Sequence, residues 1–191
     1  MNSFPEQKLS DYIVTMENVI SAETCKEIIK VFEDIPMELK LESRNKHNSG
    51  AKKFWMYYFE DTNLKNYALV KQMVGVFNSC YAKYLQLHNT CMLPESANLS
   101  PLKIKKYDKN SDDQFPPHVD AGTTSHHRFI GMILYLNDVE VGGETEFECL
   151  AEPIKPVAGT MLMFPTLWMY KHRGNPTVSD DKYLLQSYAR Y

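Results

Sequence analysis

The chain has 191 residues, with 21 Lys and Arg against 24 Asp and Glu, a formal charge of −3 and 43% hydrophobic residues. That length and apolar content suit one globular domain with a substantial core and exclude a disordered chain, while the mild acidity argues against a general nucleic-acid binder. No apolar run reaches membrane-spanning length, the start Met1-Asn2-Ser3-Phe4-Pro5-Glu6 carries no basic-then-apolar leader, and Cys25, Cys80, Cys91 and Cys149 show no paired spacing, so free thiols and a cytoplasmic location are expected.

Tyr12 to Met16 reads as a short strand. Ser21 opens a helix in which Cys25, Ile28, Ile29, Phe32 and Ile35 recur at helical spacing, and Pro36 ends it. Leu39 to Ser43 follows, then a polar, basic loop from Arg44 to Lys53. Phe54 to Glu60 is aromatic and strand-like, and alternation is expected to turn Trp55 and Tyr57 to one face, toward a pocket. A long helix is expected from Asn63 to His88. Its apolar face is Leu64, Tyr67, Met73, Phe77, Cys80, Tyr81, Tyr84 and Leu85, a stripe read as core packing. From Leu102 the chain breaks into short strands, expected over 102–108, 115–119, 128–137, 144–148, 153–155, 160–164, 169–173 and 182–190. Many short strands punctuated by Gly and Pro predict a mainly β fold with α: a double-stranded β-helix (jelly roll) core with the N-terminal helices packed on its outside. A single domain is expected over 1–191, with 1–100 as a helical and strand support region and 101–191 as the jelly-roll core.

The chemistry-bearing motif is His118-Val119-Asp120, answered far downstream by His172. Two histidines and one carboxylate form the facial triad that holds Fe(II) and leaves coordination positions open. Residues two apart on a strand share a face, so His118 and Asp120 can grip one ion if His172 arrives on another strand. A purely structural HxD would look the same. Lys182 lies in a strand-like run, Lys182 to Tyr188, one strand-length from His172. A lysine there could pair with the far carboxylate of a dicarboxylate chelated to the metal, or be a surface cation. His126 and His127 are adjacent and face opposite ways, so they cannot both join His118.

Tyr107, His118-x-Asp120, Arg128, Tyr135-Leu136-Asn137, Gly142-Gly143-Glu144-Thr145-x-Phe147, His172 and Lys182, in this order, resemble the Fe(II)/2-oxoglutarate dioxygenases of the prolyl 4-hydroxylase type. The motif likeness covers about residues 100 to 191; residues 10 to 90 follow only as an order of elements. The resemblance implies that His118, Asp120 and His172 bind Fe(II) and are catalytic, and that Lys182 pairs with the C5 carboxylate of 2-oxoglutarate. It implies that the Tyr135 hydroxyl bonds that carboxylate and that Tyr107 lines the metal-chelated end. The implied reaction consumes O2 and 2-oxoglutarate, releases succinate and CO2, and hydroxylates an unactivated C–H, with ascorbate as a candidate reductant. A carboxylate at Asp120, where halogenating relatives have Ala or Gly, argues for hydroxylation.

On the substrate side, Arg128 matches an arginine near the entrance, and Arg44 to Lys53 sits where prolyl 4-hydroxylases carry a finger loop over a peptide. Trp55, Tyr57, Trp168 and Tyr188 are candidate pocket walls. The resemblance implies a prolyl residue of a peptide or protein. A free amino acid, another small molecule or a nucleobase is the alternative, and a non-catalytic metal-binding jelly-roll module stands last. A basic groove of Lys52, Lys53, Lys103, Lys105 and Lys106 would mark nucleic acid; alternation puts Lys103 and Lys105 on one face. Gly142-Gly143 reads as a tight hairpin connection with no chemistry of its own. No membrane partner is expected, and monomer and homodimer both stay open.

Overall fold

The computed structural model describes residues 7–44, 53–59, 66–88, 93–96, 98–109, 111 and 113–191. Residues 45–52 of the expected finger loop, including Lys52, lie outside the described residues, as do Leu64 and Cys91. Among the described residues eleven strands and two α-helices follow one another: β1 (Val14–Met16), α1 (Ala22–Glu33), β2 (Leu41–Arg44), β3 (Lys53–Phe59), α2 (Tyr67–His88), β4 (Asn98–Leu99), β5 (Leu102–Tyr107), β6 (Phe115–His118), β7 (Arg128–Tyr135), β8 (Thr145–Phe147), β9 (Met161–Pro165), β10 (His172–Gly174) and β11 (Lys182–Arg190). The expected strand at Tyr12 begins two residues later, because Leu9–Tyr12 winds into a 3-10 turn. The expected strand at 153–155 is reduced to an isolated bridge between Thr145 and Ile154.

Helix α1 starts where the Ser21 hydroxyl accepts the Thr24 amide at 3.2 Å, satisfying one of the free donors of the first turn. Its Cys25, Ile28 and Phe32 and the Met73, Phe77, Cys80, Tyr81 and Tyr84 of α2 are buried together. Tyr67 is half exposed, so the apolar face of α2 is narrower than its sequence implied.

These helices cover one face of the large antiparallel sheet, ordered β1-β9-β7-β11-β5-β3-β2, with β4 beside β11. N-terminal strands β1, β2 and β3 are therefore built into the same sheet as the C-terminal core. The other face looks toward a small sheet ordered β6-β10-β8. Alternation on β7 divides the two cores: Ile130, Met132 and Leu134 pack with the helices, whereas Ile133 and Tyr135 face the small sheet. A strand buried on both faces reads as a continuous apolar run, which is what Phe129 to Tyr135 is.

Strand β11 is central: Leu184 stands opposite Tyr135 on β7 and Lys105 on β5, and Lys182 stands opposite Tyr107. The glycine pair precedes β8. Gly142 has φ +78°, and a Cβ there would lie 2.3 Å from the Pro176 carbonyl oxygen, so any other residue is both strained and blocked.

Candidate active site

His172 at the start of β10 is the direct cross-strand partner of His118 at the end of β6. This pairing is why two histidines so distant in sequence meet. Asp120 is not on the strand itself but two residues past its last pair, in a turn fixed by several contacts. The Ser125 hydroxyl donates to the Asp120 carbonyl at 2.9 Å, and the Ala121 amide donates to the Thr166 carbonyl at 3.1 Å. The Asp120 carboxylate then faces both rings, with Oδ1 3.5 Å from His118 Nε2 and Oδ2 3.7 Å from His172 Nε2.

Each imidazole is oriented from behind. His118 Nδ1 lies 2.8 Å from the Pro116 carbonyl oxygen, and His172 Nδ1 lies 3.0 Å from that of Tyr170. Carbonyls only accept, so each Nδ1 carries the proton and each Nε2 turns a lone pair inward. One ligand atom from each of the three residues falls within 4.8 Å of the others. Asp120 Oδ2 is buried with no hydrogen-bond partner among the described residues. An orphaned carboxylate oxygen beside two inward lone pairs fits a divalent cation and is otherwise costly.

The electrostatics agree. Burial acts to raise the Asp120 carboxyl, but the facing imidazoles and the Tyr188 hydroxyl outweigh it and hold the group well below the usual carboxylate range. Burial pushes His172 down to about 4, keeping it neutral and able to coordinate.

A cavity opens from the two histidines between the sheets. Lys105, Tyr107, Ile133, Thr145, Lys182, Leu184 and Gln186 line it. Lys182 is 3% exposed and forms no ion pair among the described residues. Its ammonium donates to the Gly143 carbonyl and lies 5.5 Å from the ring centroids of both Tyr107 and Tyr135. Burial pushes its pKa down to about 8. The Tyr135 hydroxyl is 2.7 Å from Thr145 Oγ1, also on the cavity wall. The glycine pair is thus more than a connection, since Gly143 supplies the carbonyl that positions Lys182.

Several expected positions fall elsewhere. Trp55 and Tyr57 pack with the helix-side core, and Phe54 and Met56 take the cavity-side face of β3, so the expected parity is inverted. The Trp55 indole donates to Asp108 Oδ2 at 3.1 Å. Trp168 is 78% exposed and is no pocket wall. His126 and His127 lie outside the ligand cluster. The basic groove does not assemble from its described members: Lys106 turns outward to Glu33, Asp108 and Asp181, while Lys105 is buried inward.

Tyr188 and Arg128 do stand near the triad. The Tyr188 hydroxyl donates to Asp120 Oδ1 at 2.9 Å and accepts from Gln186 Nε2 at 2.9 Å. The Arg128 guanidinium lies 4.1 Å from the centroid of the Tyr188 ring and 3.4 Å from the Asp120 carbonyl oxygen. Sequence reasoning missed Lys105, Thr145 and Gln186 as cavity residues. For Lys105 the parity with Tyr107 was the available signal.

The family profile described as the 2OG-Fe(II) oxygenase superfamily matches residues 102–190, which contain all three triad residues and Lys182. No curated protein matches the chain by sequence. Among solved structures, a viral collagen prolyl hydroxylase from Paramecium bursaria Chlorella virus-1, in its 2OG complex, is similar at 19% identity, with 94% of this chain and 96% of that chain covered and a TM-score of 0.68. A Pseudomonas putida prolyl-4-hydroxylase is similar at 11% identity, with coverages of 94% and 93% and a TM-score of 0.70. A Trichoplax adhaerens prolyl hydroxylase in complex with a hypoxia inducible factor peptide fragment is similar at 13% identity, with coverages of 95% and 84% and a TM-score of 0.72. The cofactors that belong to this superfamily are Fe(II), 2-oxoglutarate and O2, and the donor set at the triad fits the metal. Residues 102–190 match the 2OG-Fe(II) oxygenase superfamily, and the chain as a whole has the fold of the prolyl hydroxylases it is similar to.

Proposed function

We propose that the chain hydroxylates a prolyl residue of a peptide or protein, with His118, Asp120 and His172 holding Fe(II) and Lys182 with Tyr135 holding the C5 carboxylate of 2-oxoglutarate. The observation that carries this reading is the cavity that joins the triad to a buried lysine with no ion-pair partner among the described residues. When bound, iron with 2-oxoglutarate and O2 supplies the oxidising power for decarboxylation to succinate and CO2 and for hydroxylation of a C–H bond.

The chain's own residues bind, orient and exclude water. The Pro116 and Tyr170 carbonyls fix the ligating tautomers, and the Tyr188 hydroxyl fixes the Asp120 carboxylate. Thr145 lines the cavity with Lys182, and its hydroxyl is 2.7 Å from that of Tyr135, whose ring centroid lies 5.5 Å from the ammonium, so one carboxylate can take a charged and a neutral donor together. Tyr107 and Phe54 form an apolar side wall with ring centroids 5.3 Å apart. The prolyl substrate is supported by the neighbours' fold and by one neighbour's peptide complex. Arg128, at the triad edge, is the described cation best placed to meet it.

The test is succinate release from Fe(II)-loaded protein given 2-oxoglutarate and air, with and without proline-containing peptides. Peptide-stimulated turnover with the mass gain of one oxygen on proline is the expected result. Basal succinate release that no peptide stimulates, but that a free amino acid does, would replace the peptide with a small molecule.

A further inference from the structure

The cavity holds a second buried cation that the chemistry above leaves unused. Lys105 is 6% exposed on β5, and its ammonium lies 4.8 Å from the ring centroid of Phe54 and 4.9 Å from that of Phe115. Two aromatic faces attract a cation but cannot accept its three hydrogen bonds. Among the described residues these two rings are its contacts, and no carboxylate forms an ion pair with it. A lysine buried in this way is costly unless an anion arrives.

Its place along the cavity is fixed by register. Lys105 stands opposite Leu184, one inward-facing step from the Tyr107–Lys182 pair, which is about 7 Å of strand. Lys182 sits at the Gly143 end. Lys105 sits at the Phe115 side, and the Phe115 ring centroid lies 3.9 Å from that of His118, with the rings tilted by 36°. Burial pushes Lys105 well below its ordinary value, and the Asp120 charge acts against that shift. The cavity therefore has one lysine at its Gly143 end and another beside the triad. A dicarboxylate carries a charge at each end.

Resting on the reading of this cavity as the 2-oxoglutarate site, we propose that Lys105 is a second anchor for the cosubstrate, pairing with the keto-acid carboxylate nearest the triad while Lys182 pairs with the far one. The two lysines then measure the length of the acid between them.

The test compares two ligands on the Mn(II)-loaded protein without O2, by calorimetry. One is 2-oxoglutarate; the other is 2-oxobutanoate, which keeps the keto-acid end and lacks the far carboxylate. Lys105→Met is expected to weaken both ligands at least about tenfold, because each loses a charge-assisted partner. Lys105→Gln, which keeps a polar tip, serves if the Met variant does not fold, and is expected to weaken both in the same direction. Lys182→Met is expected to weaken 2-oxoglutarate alone. Unchanged affinities in the Lys105 variants, or a loss confined to 2-oxoglutarate, would overturn the proposal. So would an equal loss of Mn(II) affinity, which would mean that Lys105 acts on the triad. If Lys182→Met fails to distinguish the two acids, the cosubstrate reading itself fails, whatever Lys105 does.

Discussion

The Tyr188 hydroxyl donates to Asp120 Oδ1 at 2.9 Å from the far end of β11, leaving Oδ2 to face His172. Burial and the Asp120 charge both push the tyrosine well above its ordinary pKa, so it remains a donor at any working pH. Tyr188→Phe removes this bond with little change in shape. It is expected to lower Fe(II) or Co(II) affinity by about 10–100-fold, the usual effect of losing a partner behind a metal ligand. Metal titration of the folded variant checks it; an unchanged affinity would leave Tyr188 as packing only.

Asp120→Ala takes one of three ligands from the centre. Succinate formation should fall to background while the circular dichroism spectrum stays that of the parent. Full activity in this variant would remove Asp120 from the metal site.

Lys182→Ala should weaken 2-oxoglutarate by roughly 1.5–3 kcal/mol, since it leaves a buried carboxylate without its charged partner. The lysine also predicts a pH profile. With its pKa near 8, the ammonium is charged below that value and neutral above it. Affinity for 2-oxoglutarate should therefore be flat below pH 8 and fall as pH rises through it, and Lys182→Met should remove that component. In the ligand-free chain the sign reverses. Folding depresses this pKa from 10.5, so the unfolded chain binds more protons between about 8 and 10.5, and stability contributed by this group rises across that window.

Gly131→Ala tests how closely the triad is packed. A Cβ at this position would lie 2.7 Å from Phe164 Cζ and 3.2 Å from Asp120 Oδ2, and Phe164 packs edge-on against His172 with centroids 4.7 Å apart. Overpacking of this kind costs about 1–3 kcal/mol. The melting temperature should fall and metal affinity with it, because the displaced ring bears on a ligand. A fall in stability alone would show that Phe164 yields without disturbing His172.

Much of the site was legible because its residues are rare types held at short spacing. His118 and Asp120 sit close enough to read as a pair, and Lys182 stood out as a cation in an apolar strand. The strand-rich core announced itself through alternation and punctuation. The orientation of β3 could not be read in the same way. Phe54, Trp55, Met56, Tyr57, Tyr58 and Phe59 are all large and apolar, so no period-2 contrast says which set faces the cavity. Lys105 was hidden by the opposite effect. In Leu102-Lys103-Ile104-Lys105-Lys106-Tyr107 the polar positions imitate a solvent-facing strand edge, whereas here that face looks into the cavity. Only tertiary structure, with the small sheet laid over β5, turns a polar face inward.

The placing of β11 between β5 and β7 has one more consequence. Lys182, Gln186 and Tyr188 occupy one face of one strand, and the same ladder of backbone bonds fixes all three against Tyr107, Lys103 and Gly131. A slip by a single residue would send every one of them to the helix side at once. The far-carboxylate anchor and the hydroxyl that steadies Asp120 therefore behave as teeth of one key. Deleting a residue between Lys182 and Tyr188 puts the two on opposite faces, so even a chain that still folds should be unable to keep both the cosubstrate anchor and the bond to Asp120.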